Sequence, residues 1–417
     1  MKLNLKNIGK IAEASIEINT ITIIAGENNT GKSTFSKTLF SLLYSLYDNK
    51  NNVFHEKNEY LFNLLASQRY SQQTVDYTIL VQEIVKLYRL NKDNMVLRDK
   101  ITNLLEANGY LNIPMYHEQF EDIIDLILDA LRLSDIEIVE KIIENEFKSE
   151  FTNQITNLYN SDQASLVYKD ETQTFTVNFN NIQQVNISDF IDSKLYPVYI
   201  DNPNILDSNK ISRFNLRNRD KTDNHEDALL KRLFLNEPQN AVSSLLNQKK
   251  SESILQKISS IISGKLILTQ NNECFYRETE SSPSISINNL SEGIKIFVIL
   301  KTLLQNNQIT PNTVLILDEP ETHLHPKLQV TLAELIILFQ KFIGLKILLN
   351  THSPYFLEAI EVFSAKYGLY SDIKYYLSRN DGNISFITDI THNIDAIYSL
   401  LAAPIYKLEE ETNNDNK

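Results

Sequence analysis

Apolar residues near the start of the chain recur at alternate positions, Leu3, Leu5 and Ile8 and then Ala14, Ile16 and Ile18. They close up into the run Ile21-Thr22-Ile23-Ile24-Ala25. Alternation predicts half-buried strands, and a β-branched run with no polar face predicts a strand buried on both sides of a parallel sheet. Phe35 to Tyr47 changes to helical spacing. From Phe54 to about Asn160 the pattern is mainly helical, with Ile79–Leu90, Val96–Leu105, Phe120–Leu133 and Ile136–Phe151 carrying apolar residues three and four apart. Gly109 and Pro114 interrupt that stretch and no heptad persists, so it reads as a compact arm rather than a coiled coil. Ala164 to Ile187 alternates again, Leu195 to Ile200 is a short strand, and Phe234 to Ser263 is helical. Leu266–Phe275 with Ser284–Ile287 suggests a hairpin. The last third alternates helix Ile296–Leu304, strand Val314–Glu319, strand Leu345–His352, a helix from Tyr355, strands Lys374–Leu377 and Ile384–Ile387, and helix Ile394–Leu401. Strands alternating with helices predict an α/β fold around a parallel sheet.

Composition removes several alternatives. With 417 residues, 42% hydrophobic and 22% charged, the chain has ordinary globular usage and length for two or three units. A single cysteine, Cys274, excludes an intrachain disulfide and a thiolate zinc cluster, which fits a reducing compartment. The most apolar stretch, Leu332–Leu349, is broken by Glu334, Gln340, Lys341 and Lys346, and the first residues lack a signal-peptide core, so a cytoplasmic protein without a membrane span is expected. The net charge of −13, from 40 basic and 53 acidic residues, repels a nucleic-acid backbone. Contact with nucleic acid would need a local patch, and Lys210, Arg213, Arg217, Arg219 and Lys221 supply the one candidate. A solvated basic loop is the plainer reading of that segment. Arg219 and His225 also fit the loose R-x5-H spacing of HEPN ribonucleases, a pattern common by chance.

Chemistry concentrates where strands end. The buried run Ile21–Ala25 leads into Gly26-Glu27-Asn28-Asn29-Thr30-Gly31-Lys32-Ser33-Thr34 and then a helix. That is the strand, G-x4-G-K-S and helix context of a phosphate-binding loop: glycines let the backbone wrap an anion, and N–H groups at the helix start supply positive potential. Lys32 is placed to reach the β- and γ-phosphates and the Ser33 hydroxyl to ligate Mg²⁺. Val314–Leu317 ends in Asp318-Glu319, where the first carboxylate can hold the Mg²⁺ shell and the second can act as general base on water. His352 follows the third such strand and is a candidate contact to the γ-phosphate or the water. His323-Leu324-His325 has zinc-like spacing but no further ligands nearby, and reads as a structured loop. Asn289-Leu290-Ser291-Glu292-Gly293 sits where the next helix is capped.

The order phosphate loop, capped helix, acid-tipped strand, histidine-tipped strand resembles that of ATP-binding-cassette ATPases, and is closer to the SMC/RecF/OLD branch than to transporters. Gly26–Thr34 resembles Walker A, Leu290–Gly293 the signature motif, Leu315–Glu319 Walker B and His352 the switch histidine; Asp318–Pro326 is similar to the D-loop of OLD-like ATPases. The resemblance implies a P-loop ABC-type ATPase head with a central parallel sheet, an antiparallel β subdomain and a compact helical insertion. The head would be split into residues 1–50 and 191–417, with the arm and its closing strands at 51–190. It implies ATP and Mg²⁺ as ligands. Gly26, Asn28, Asn29, Thr30, Gly31, Lys32, Ser33 and Thr34 would hold the nucleotide, Ser33 and Asp318 the metal, and Glu319, His352 and Lys32 would serve catalysis. Ser291 and Gly293 would reach the nucleotide of a second copy, so a head-to-tail homodimer or higher oligomer is implied.

The stretch after His352 is shorter than the roughly 100 residues of a full domain, so the Toprim nuclease appended in OLD-type enzymes is not expected. The remaining parts resemble the ATPase subunits of anti-phage systems such as Septu and PARIS, which implies a separately encoded effector nuclease, HNH or Toprim, as partner. A RecF-like repair ATPase and a nucleotide-gated scaffold with little turnover are the alternatives.

Overall fold

The computed structural model describes residues 1–67, 75–91, 93–109, 117–160, 163–180, 184–207, 224–234, 241–269 and 273–403. The basic segment Lys210–Lys221 and the acidic stretch 409–417 lie outside the described residues. The chain divides into two units, the first comprising Met1–Tyr47, Ile142–Asp189 and Ser193–Lys417, the second Asp48–Lys141 with Phe190–Asp192.

The first unit begins with strands β1 (Lys2–Ile8), β2 (Ile11–Glu17) and β3 (Ile21–Ala25), followed by helix α1 (Lys32–Leu46). All five residues of β3 are buried, as a strand covered on both faces requires. The second unit holds α2 (Asn49–Ser67), α3 (Tyr77–Leu90), α4 (Asn94–Ala107), α5 (His117–Arg132) and the start of α6 (Asp135–Glu150). Asp76 and Asp93 cap α3 and α4 by accepting two backbone N–H bonds each. Leu61, Leu65, Leu80, Ile84, Ile101, Leu105, Ile124 and Ile127 meet in a core of this unit's own. Arg98 on α4 pairs with Glu121 and Asp125, one turn apart on α5. The helical insertion is therefore short-helixed and self-packed, as the broken periodicity indicates.

The chain returns to the first unit with β4 (Ala164–Lys169), β5 (Thr174–Phe179), β6 (Val185–Ile187) and β7 (Tyr196–Ile200), then α7 (His225–Phe234) and α8 (Ala241–Ile261). A separate antiparallel sheet of β8 (Lys265–Leu268), β9 (Cys274–Arg277) and β10 (Ile285–Ser286) precedes α9 (Glu292–Gln305). The last part is β11 (Thr313–Asp318), α10 (Pro326–Ile343), β12 (Lys346–Thr351), α11 (Pro354–Tyr367), β13 (Ile373–Asp381) and β14 (Ile384–Asp389).

The main sheet runs β6-β5-β4-β1-β2-β14-β13-β3-β12-β11-β7. From β13 to β7 neighbours are parallel; from β6 to β2 they are antiparallel. The alternating strands at 164–187 thus extend the sheet from β1 instead of closing the arm. Their burial alternates as Ala164, Leu166 and Tyr168 inward, the pattern of an antiparallel sheet covered on one face. Three of the helices that cover the parallel half are joined by one carboxylate. Glu334 on α10 pairs with Lys257 of α8, and on α11 with Lys366 at 3.1 Å and the Tyr367 hydroxyl at 2.6 Å.

Burial alone would raise the Glu334 carboxyl; these donors outweigh it and bring it from 4.5 down to about 2. A depressed carboxyl adds stability above its unfolded value that is lost as pH falls towards the folded value. Thermal stability should therefore drop between about pH 4.5 and pH 2 more steeply in the parent than in Glu334→Gln, measured by melting temperature against pH. Parallel curves would remove Glu334 from the acid response.

Candidate nucleotide site

Register brings the strand ends into line. Ala25 of β3 pairs with Thr351 of β12, Asn350 with Asp318 of β11, and Leu317 with Ile200 of β7. The residues that follow (Gly26, His352, Glu319 and Asp201) consequently leave the sheet at one edge, the carboxyl ends of parallel strands, where α/β sheets bind ligands.

The phosphate loop is held from beneath by the β13–β14 hairpin. A Cβ at Gly26 would stand 2.4 Å from the Ser378 carbonyl oxygen, which no side chain tolerates. Gly31 has φ +96°, and its Cβ would meet the Ser385 hydroxyl at 2.7 Å. Ser378 Oγ donates to the Thr30 carbonyl at 2.6 Å and the Thr30 hydroxyl to the Glu27 carbonyl at 2.9 Å. Asn29 takes φ +61°, within the left-handed region that asparagine tolerates, and its carbonyl accepts from Lys10 at 2.6 Å. Asn28, Asn29 and Ser33 face a cavity of about 570 Å³. The Thr34 methyl packs 2.8 Å from where a Cβ on Gly9 would be, and its carbonyl accepts from Thr38, so Thr34 serves as the joint between the β1–β2 turn and α1.

Lys32 is only 3% exposed. Its ammonium donates to the carbonyls of Gly26 at 2.9 Å and Glu27 at 2.8 Å, and lies 3.3 Å from Glu319 Oε1. Ser33, exposed at the first turn of α1, hydrogen-bonds the Asp318 carboxylate. Asp318 is buried, accepting from Asn350 Nδ2 at 2.8 Å and from the Tyr199 hydroxyl at 2.9 Å, and burial pushes its carboxyl above the usual range. Asn350 also donates to Ser36 at 2.9 Å, tying β12 to α1.

Glu319 adopts φ +49°, a strained conformation for a glutamate, fixed by its N–H donating to the Asn350 carbonyl at 3.0 Å. His352 Nδ1 lies 3.2 Å from Glu319 Oε2. His352, with Lys32 adding, holds the Glu319 carboxyl below its ordinary value; reciprocally Glu319 raises the His352 imidazole. Glu319 is thus a carboxylate held between the Lys32 ammonium and the His352 imidazole. Just beyond it Glu321 is buried and accepts from the Thr351 hydroxyl at 2.5 Å, fixing the loop to the end of β12.

The signature-like segment forms the other cavity wall. Ser291 is the exposed N-cap residue of α9 and its hydroxyl makes no capping bond. Gly293 is buried, and a Cβ there would stand 2.9 Å from the His323 carbonyl oxygen, so the loop after β11 packs directly on the first turn of α9. Glu292 accepts from Asn204 at 2.9 Å and lies 3.4 Å from His323 Nδ1. His325 is the N-cap of α10, accepting from the Lys327 N–H at 3.3 Å, so the His-x-His spacing serves loop geometry. The cavity lining carries four carboxylates, Asp201, Glu292, Asp318 and Glu319, against Lys37. Ser291 and His352 are outside that lining.

Sequence reading missed Tyr199, Asn350 and Asp201. All three are strand-end residues that reach the site through neighbouring strands, and an apolar run ending in a polar residue, as at Ile200-Asp201, is the signal that could have marked them. No helix among the described residues is long and apolar enough to cross a membrane.

A family model described as "AAA domain, putative AbiEii toxin, Type IV TA system" matches residues 126–358, and a second, described as "AAA domain", matches residues 1–102. No curated protein matches the chain. Among solved structures, the SMC head domain from Thermotoga maritima is similar at 13% identity and TM-score 0.39, covering 93% of this chain and 98% of that one. An Smc head with an extended coiled coil, bound to the C-terminal domain of ScpA derived from Pyrococcus furiosus, is similar at 12% identity and TM-score 0.42, covering 99% and 98%.

Proposed function

Because the chain belongs to the AAA domain family described as putative AbiEii toxin of type IV TA systems, and so to the P-loop ATPases of the ABC class, we propose that it hydrolyses ATP at the aligned strand ends. The observation that supports this most is the meeting of Lys32, Ser33, Asp318, Glu319 and His352 within hydrogen-bond or ion-pair reach, from three segments far apart in sequence. Loop N–H groups and Lys32 bind the β- and γ-phosphates. Gly26, Asn28, Asn29, Thr30, Gly31 and Thr34 shape that cradle. The donor set suits Mg²⁺: an exposed hydroxyl on a buried carboxylate, in a cavity whose charge is mainly negative. Ser33 and Asp318 would hold the ion, which supplies charge neutralisation on the phosphates. Glu319 accepts the proton of the attacking water, and His352 orients that carboxylate and faces the developing phosphate charge.

Ser291 and Gly293 are assigned to the nucleotide of a second copy, in a head-to-tail dimer or larger assembly; the exposed hydroxyl of Ser291, unused as a cap, supports this. The biological reading is an ATPase that controls a separately encoded effector nuclease in anti-phage defence, which rests on the resemblance of the sequence to the ATPase subunits of such systems. Turnover per chain should rise with protein concentration together with the mass seen by light scattering in ATP and Mg²⁺, and Ser291→Arg should abolish both. A monomer turning over at a concentration-independent rate would overturn the composite site.

A further inference from the structure

Beside the cavity, and outside the machinery just described, Asp201, His225 and Glu226 converge. Each offers one ligand atom, and these atoms lie within 4.8 Å of one another. Asp201 is the first residue past β7, and His225 and Glu226 open α7.

The histidine is built in. It is 7% exposed, with its ring 4.4 Å from that of Tyr199 and 6.0 Å from that of Phe40. Its Nδ1 lies 2.8 Å from Glu150 Oε1, and its backbone N–H donates to Glu150 Oε2 at 3.1 Å. Nε2 faces Asp201 Oδ2 at 3.1 Å and bonds that oxygen only when it carries a proton. A buried carboxylate on Nδ1 fixes the tautomer with the proton there and leaves the Nε2 lone pair pointing outward, the arrangement that orients metal-ligating histidines. A lone pair aimed at carboxylate oxygens is repulsive until a cation lies between them. The Lys37 ammonium stands 3.5 Å from Glu150 and adds positive charge near Asp201.

We infer that Asp201, His225 and Glu226 form a binding site for a divalent transition metal, with Glu150 as the residue that orients His225. One imidazole and two carboxylates suit Zn²⁺ or Mn²⁺, whose ligand atoms stand about 2.0–2.2 Å from the ion. Asp201 also lines the cavity. The site is separate from Ser33 and Asp318 and does not depend on the chain being an ATPase.

The test is titration of chelator-stripped, full-length protein with Co²⁺ in the absence of nucleotide, followed by the visible d–d absorption. The parent should develop the bands with one equivalent of Co²⁺. His225→Gln should lose them, Glu226→Gln should weaken binding at least about tenfold, and Glu150→Gln should weaken it by about 10- to 100-fold. Asp318→Asn should leave the titration unchanged. Glu226 is half-buried and its replacement should fold even if that of His225 does not. Absence of d–d bands, bands that persist in both Glu226→Gln and His225→Gln, or bands lost in Asp318→Asn would each overturn the site.

Discussion

Glu319→Gln is expected to lower ATP turnover by about 10²- to 10⁴-fold, the usual worth of a positioned general base, while ATP affinity stays within a few-fold of the parent. Glutamine keeps the size and an oxygen for Lys32, but has no charge and no place for the water's proton. Lys32 at 3.3 Å and the His352 imidazole at 3.2 Å flank the carboxylate and hold it below its ordinary value, so Glu319 is ionised at neutral pH and available as a base. Loss of that charge reaches the partner. His352 is held above its ordinary 6.5 chiefly by Glu319, and its proton resonance should titrate at lower pH in the variant. Phosphate release, nucleotide titration and the histidine NMR titration check the three parts. Turnover within about tenfold of the parent would remove Glu319 from catalysis; an unmoved His352 titration would show that the pair is not coupled in solution.

Lys32→Ala should reduce ATP affinity by at least about 100-fold. Charge-assisted hydrogen bonds contribute about 1.5–3 kcal/mol each, and tenfold in affinity is about 1.4 kcal/mol, so two lost phosphate contacts suffice. The substitution also leaves the Gly26 and Glu27 carbonyls without the donor that now joins them. Arginine should not rescue binding, because Lys32 is only 3% exposed and a planar guanidinium does not reproduce the point-charge contacts of its ammonium with the two carbonyls. Calorimetric titration with ATP reads the loss, and a near-parent melting curve separates it from unfolding. Binding within a few-fold of the parent would detach the loop from the nucleotide.

How much of this was legible follows from how local each feature is. Gly26–Thr34 is read from one short segment because its chemistry is backbone wrapping, which glycine spacing encodes directly. Asp318, Glu319 and His352 were found because buried parallel strands are unusually apolar and end abruptly. The arm helices were visible because their periodicity is local, and Tyr77–Leu90 matches the expected Ile79–Leu90 closely. What escaped is pairing between distant strands. Tyr199 reaches Asp318 only because β7 lies beside β11, and Ser378 touches the phosphate loop only because β13 lies beside β3. The expected hairpin near 266–287 is instead a three-stranded sheet of its own, and strands 164–187 extend the main sheet from β1. Nothing in those segments names the neighbour on which they dock.

The dependence of Gly26, Thr30 and Gly31 on Ser378 and Ser385 has a consequence for the order of events on the ribosome. The phosphate loop is made well before the strands that seat it: β3 is flanked by β12 and β13, and the carbonyl that seats Gly26 comes from β13. At about 5–20 residues per second, the wait from residue 25 to residue 389 lasts roughly 20–70 s. Through that interval the nascent chain carries a nucleotide-binding sequence without a floor beneath it, and the apolar β3 without either neighbour. Handling by chaperones should therefore fall on the chain before β13 is made, and nucleotide capture should follow the pairing of β3 with β13.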